Sequence, residues 1–162
     1  MKTKILSLLF LIVIAITFCG CPMGMYPWYL DNKTNDTLGV YFALGHDGQT
    51  VYPDTTLPVD INKAHIMVAS PHKKQSLLVY DPRPYEDVIK SLPKDTLSIF
   101  IINIDTLFKY DWDVIIRDYK ILRRYDLSLP DIRCLFVNST PVIPYPPDER
   151  MKNMKMYPPY GQ

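Results

Sequence analysis

Leu97-Ser98-Ile99-Phe100-Ile101-Ile102-Asn103-Ile104 is apolar at nearly every position. A strand with one solvated face alternates apolar and polar side chains, so an almost unbroken run reads as a central strand covered on both faces. Its isoleucines and Phe100 also favour the extended backbone. A strand of this kind needs a layer on each side, and the flanking sequence supplies candidates.

Upstream, Tyr85, Val88, Ile89 and Leu92 recur at i, i+3, i+4 and i+7, which predicts a short amphipathic helix from Pro84 to Ser91 with proline in its first turn. Downstream, Trp112, Ile115, Ile116 and Tyr119 repeat the helical spacing behind Asp111, an N-cap residue. Ser128 followed by Asp131 has the form of a capping box, and Leu129, Ile132, Leu135 and Phe136 give a third short helix. Thr37 to Leu44 reads as a strand closed by the turn Gly45-His46-Asp47-Gly48. Ile61 to Ala69 and Leu77 to Tyr80 read as strands around a Ser70–Lys74 loop, Val51 to Leu57 as irregular, and Val137 to Tyr145 as extended. Strands interleaved with short helices predict an α+β fold: a mixed sheet with a buried central strand and about three short helices, in a single domain.

The ends of the chain read differently. Met1-Lys2-Thr3-Lys4 is basic, Ile5 to Phe18 is apolar but shorter than the ~20 residues that span a bilayer, and Gly20 is small. That order reads as the leader of a bacterial lipoprotein, with Cys21 as the lipidated residue; a secretory signal cut near Gly20 and a retained membrane helix are the alternatives. Cys19 competes poorly because Phe18 precedes it. Two or three acyl chains, at about 0.8 kcal/mol per buried methylene, make a permanent anchor. The expected organisation is therefore a signal peptide over residues 1–20, a tether over 21–36, a globular domain over 37–145 and a Pro/Tyr/Met-rich tail over 146–162. Pro22 and Pro27 break regular structure in the tether, and the proline-bracketed tail is expected to be extended or loosely ordered.

Losing Lys2 and Lys4 from 18 basic against 17 acidic residues leaves the remainder slightly acidic. With no basic face, nucleic acid is not an expected partner. If Cys21 carries lipid, Cys134 has no partner for an internal disulfide, and its apolar surroundings predict a small buried hydrophobe.

Four stretches carry a resemblance: Tyr52-Pro53-Asp54-Thr55, Asp95 to Phe100, Tyr119 to Ser128, and Tyr145-Pro146-Pro147 through Tyr160. With these the chain resembles a group of small lipoproteins from Bacteroidota, a resemblance that implies an envelope address and brings no activity with it. It also implies O-glycosylation at Asp-Thr sequons, whose candidate acceptors are Thr37, Thr55, Thr96 and Thr106. Thr37 and Thr55 are favoured because they lie near loops, where a sugar can be solvated; the same Asp-Thr pairs also suit strand starts and caps. In that lineage an acidic stretch after the lipidated cysteine resembles a surface-display signal. Residues 22–27 have none, which favours the periplasmic face of the outer membrane over the cell surface.

For chemistry the inventory is thin. There is no His-Glu-x-x-His, no Gly-x-Ser-x-Gly and no phosphate-cradling loop among the six glycines. His46, His65 and His72 lack ligand spacing, Asp111 and Asp113 turn to different helix faces, and the lysines between Met151, Met154 and Met156 disfavour a copper site. No catalytic residue, metal or cofactor is assigned. The expected function is a non-enzymatic binding or scaffolding module, lipid-anchored in the envelope and contacting an envelope protein or glycan. The alternative is an envelope enzyme whose site is assembled from dispersed residues.

Overall fold

Thr96 to Ile102 are all buried. Successive strand side chains point to opposite faces, so Leu97, Ile99 and Ile101 enter one apolar cluster while Phe100 and Ile102 enter another. The computed structural model describes residues 26–79 and 81–162. The expected leader, Cys21 and residues 22–25 of the expected tether lie outside the described residues.

In chain order the elements are β1 (Trp28–Asn32), β2 (Leu38–Ala43), β3 (Met67–Ala69), β4 (Lys73–Leu77), α1 (Tyr85–Lys90), β5 (Thr96–Asn103), α2 (Ile104–Lys109), α3 (Trp112–Arg117), β6 (Arg123–Ser128), α4 (Leu129–Cys134), β7 (Phe136–Val137), β8 (Thr140–Tyr145) and β9 (Lys155–Tyr157). They form two sheets. The first, ordered β4-β1-β8-β7, is mixed, with β1 antiparallel to β4 and parallel to β8. The second, ordered β3-β2-β5-β6-β9, is antiparallel throughout. The fold is α+β in a single domain, mostly β, with short helices. The mixed sheet is thus the one without β5, which lies in the middle of the antiparallel sheet.

The larger apolar cluster fills the space between the sheets. Trp28, Leu30, Leu77 and Ile143 face Val40, Phe42, Ile99, Tyr125 and Leu127, and Ile89 of α1 and Ile132 of α4 join them. The outer face of the antiparallel sheet carries the smaller cluster, where Tyr41, Phe100 and Ile102 meet Leu57, Ala64 and Ile115. Trp112 donates from Nε1 to the Pro58 carbonyl at 2.8 Å, tying α3 to the loop that shares this cover. Gly39 makes the cover close. A Cβ there would stand 2.9 Å from Ile66 Cγ2 and 3.2 Å from Ile104 Cδ1.

Four expectations are corrected. The tether ends before Trp28, because β1 pairs on both sides and buries Trp28, Leu30 and Asn32. Asn32 explains why the polar stretch after it is ordered: its amide donates to the carbonyls of Asp36 (2.8 Å) and Ser70 (3.1 Å) and accepts from Thr34. The tail is folded, with Met151 and Met154 buried in the main cluster and β9 paired to β6. Arg123 holds its last residues, donating to the Pro158, Pro159 and Gln162 main-chain oxygens. Cys134 is exposed; Leu129, Ile132 and Leu135 take the core-facing side of α4 and turn it outward. Strand limits also move: Ile61–Lys63 is a 3-10 turn, β3 keeps only Met67–Ala69, and β4 spans Lys73–Leu77, taking Lys73 and Lys74 from the expected loop and ending at Leu77, where the second strand is expected to begin.

The Tyr41 hydroxyl is buried without a hydrogen-bond partner among the described residues. Burial pushes its pKa up to about 12, against about 10 in an unfolded chain. The folded value is the higher one. Its contribution is therefore complete below about pH 10 and is lost as pH rises through about 12. Urea midpoints should fall between about pH 9 and about pH 11.5, and Tyr41→Phe should make that fall shallower, leaving the part due to Tyr125, whose pKa burial also raises, without lowering stability at neutral pH.

Candidate functional site

Strand register arranges the outer face of the antiparallel sheet into two rows. Ala43, Ser98, Asp126 and Lys155 lie across β2, β5, β6 and β9 in one; Tyr41, Phe100, Arg124 and Tyr157 lie in the next. Each row is apolar or aromatic at the β2 end and gains charge at β6, through Asp126 in one and Arg124 in the other, with Lys155 adding a second charge to the first row on β9. The β2 end lies under the helices, while the β6–β9 end is bordered by loops and carries the exposed polar chemistry.

At its floor, Asp126 is buried and its Oδ1 accepts from Ser98 Oγ at 2.6 Å and from Arg124 Nε at 2.7 Å. Ser98 Oγ also meets Thr55 Oγ1 at 2.9 Å, and Arg124 Nη1 donates to the Thr55 carbonyl at 2.9 Å. The three bonds made by Asp126 or Arg124 are charge-assisted, and with the hydroxyl pair they fix each side chain. Burial would lower the pKa of Arg124, but its hydrogen bond to Asp126 and that neighbour's charge hold it raised. The Arg124 guanidinium also stacks 5.6 Å over the Phe100 ring. Asp126 Oδ2 accepts no hydrogen bond among the described residues and has Lys155 Nζ 4.0 Å away.

Tyrosines stand around this floor. Tyr119 and Tyr157 meet edge to face at 5.5 Å, and both are exposed. On the other side Lys155 Nζ donates to the Tyr52 hydroxyl at 3.1 Å and lies 4.7 Å over its ring, with Lys94 at 5.9 Å. Tyr119 follows α3 with φ 51°, a left-handed turn that carries the chain from the helix towards β6. The face offers aromatic surface, ammonium donors and a fixed carboxylate. Ser98 is 1% exposed, so a hydroxyl paired with a carboxylate is present but out of reach of a substrate.

A second feature is a cleft of about 460 Å³, walled by Phe42, Leu44, Met67, Leu78 and Val79, with His46, His65 and Gln49 also lining it. Gln49 accepts from Leu44 N and donates to the Lys63 carbonyl. His46 Nε2 is 4.0 Å from Asp81, whose carboxylate is gripped by both Nε and Nη2 of Arg83. Hydrogen bonding to Arg83 holds the Asp81 carboxyl below its usual range. His72 is apart from the cleft, bonded to Asn35 Oδ1 at 2.8 Å. Among the described residues, no three His, Cys, Asp or Glu side chains are grouped to hold a metal.

The glycosylation candidates divide by exposure. Thr55 and Thr96 are buried, with their hydroxyls on Ser98 and on the Lys94 carbonyl. The accessibility expected of Thr55 is therefore absent. Thr37 and Thr106 are half-buried. Residues far apart in the sequence meet on this face: Tyr52 and Thr55, Ser98 and Phe100, Tyr119 with Arg124 and Asp126, and Tyr157. The signal for this site in the sequence is the alternation Arg124-Tyr125-Asp126-Leu127, polar out and apolar in. Its charges conceal a strand. No family model, curated protein or solved structure matches the chain.

Proposed function

We propose that this chain is a non-enzymatic binding module of the bacterial envelope, anchored by lipid on Cys21 at the periplasmic side of the outer membrane, which engages its partner through the β5–β6–β9 face. The observation that carries this reading is the exposed Tyr119–Tyr157 pair set on a floor whose polar groups are bound to one another. Aromatic side chains supply contact area at little entropic cost, and a rigid floor removes the ordering penalty of binding. The cell surface is the alternative address, and an enzyme is the alternative activity. The cleft favours the latter, since it gathers two imidazoles over an apolar wall.

Two measurements test the reading. The mass of the mature N-terminus should show a diacylated or triacylated cysteine; an unmodified residue there removes the anchor. Capture of an envelope component by the full chain should be lost with Tyr119→Ala plus Tyr157→Ala and kept with Leu78→Ala. The reverse pattern would move function to the cleft.

A further inference from the structure

We infer that the β5–β6–β9 face takes a carboxylated saccharide, an inference that rests on that face being the binding surface. A sugar ring presents axial C–H groups to an aromatic face and equatorial hydroxyls at its rim. Tyr157, 57% exposed, offers the ring beside Tyr119. Asp126 Oδ2, one strand away, is an acceptor with no donor bound among the described residues, held in place because its other oxygen already takes two bonds. A fixed carboxylate oxygen beside an aromatic face suits the hydroxyl donors of a sugar ring.

The charge of the ligand follows from the lysines. Arg124 is committed to Asp126 and the Thr55 carbonyl. That leaves Lys94 and Lys155 beside the Tyr52 ring, Lys155 standing 4.0 Å from Asp126 Oδ2. Asp54 and Asp95 are exposed and pair with neither lysine. A ligand carboxylate near Tyr52 would meet two ammonium groups at once, at separations where salt-screened attraction still acts. A nucleic-acid strand fits less well, because it needs a track of free cations along successive phosphates.

The test is calorimetric titration of the folded chain with short oligogalacturonate, alginate and hyaluronan fragments, each beside its methyl-esterified form. At least one acidic fragment should bind while its ester does not. Tyr157→Ala and Lys155→Met should each weaken binding roughly tenfold, about 1.4 kcal/mol. Added salt should weaken it further. Both substitutions are at exposed positions, and unchanged melting curves show that the fold is intact. Binding of acid and ester alike, or of no fragment, overturns the inference. If a partner captured from the envelope still depends on Tyr157 when no saccharide binds, only the ligand class is wrong; if nothing depends on Tyr157 or Lys155, the face itself is wrong.

Discussion

Trp28→Ala is expected to destabilise the domain by about 3–5 kcal/mol, the usual cost of truncating a buried tryptophan. Trp28 is 2% exposed and meets the rings of Phe42 at 5.3 Å and Tyr85 at 5.4 Å, both edge to face. It therefore joins the mixed sheet to the antiparallel sheet and to α1. Alanine would leave a cavity bordered by all three, and little in a sandwich with paired strands can collapse into it. The contrast is with a tether, where the same change would stay within about 0.5 kcal/mol. Urea unfolding of the two chains decides between these outcomes, and Tyr29→Ala, on the opposite side of β1 and half-buried, provides a milder companion.

Asp126→Ala is the second large effect, expected at about 2–4 kcal/mol. Removing one member of a buried ion pair commonly costs about 3–5 kcal/mol because the other is left unpaired. The lower figure reflects the 15% exposure of the Arg124 side chain, which lets water reach the orphaned guanidinium. Ser98 Oγ loses its acceptor as well, and the Thr55 loop loses part of its anchor. Asp126→Asn should cost less, since an amide oxygen can still accept from both donors. Asp126→Ala with Arg124→Met should be less damaging than the sum of the single changes, because no buried charge is stranded. Additive effects in that double-mutant cycle would mean the pair does not act as a unit.

The local rules were legible where each residue's surroundings are set nearby in sequence. The helices at Tyr85, Trp112 and Leu129 follow from apolar spacing, and both bonds of the Ser128–Asp131 capping box are formed. Helix α2 was not legible because Asn103, which caps it through the Asp105 amide, reads equally well as the end of a strand. Segments placed by distant partners were lost. Trp28–Asn32 looks like a proline-broken linker until β4 and β8 pair with it, and residues 123–127, to which no element is assigned from the sequence, become a strand through β5 and β9. The tail misled for the same reason: Met151 and Met154 have no local periodicity, yet long-range packing buries them.

The candidate site was less legible still. Tyr52, Arg124, Lys155 and Tyr157 are far apart in sequence, and only the register of β5, β6 and β9 with the Tyr52–Thr55 loop brings them together. His46 and His65 share a cleft through the turn after β2, although no sequence spacing pairs them.

Binding through the β5–β6–β9 face is tested most directly by placing a photo-crosslinking amino acid at Tyr157, and separately at Leu78 on the cleft, in the full chain in living cells. The Tyr157 position should give a discrete adduct that Asp126→Asn diminishes, while the Leu78 position stays silent. An adduct from Leu78 with none from Tyr157 would contradict binding through this face.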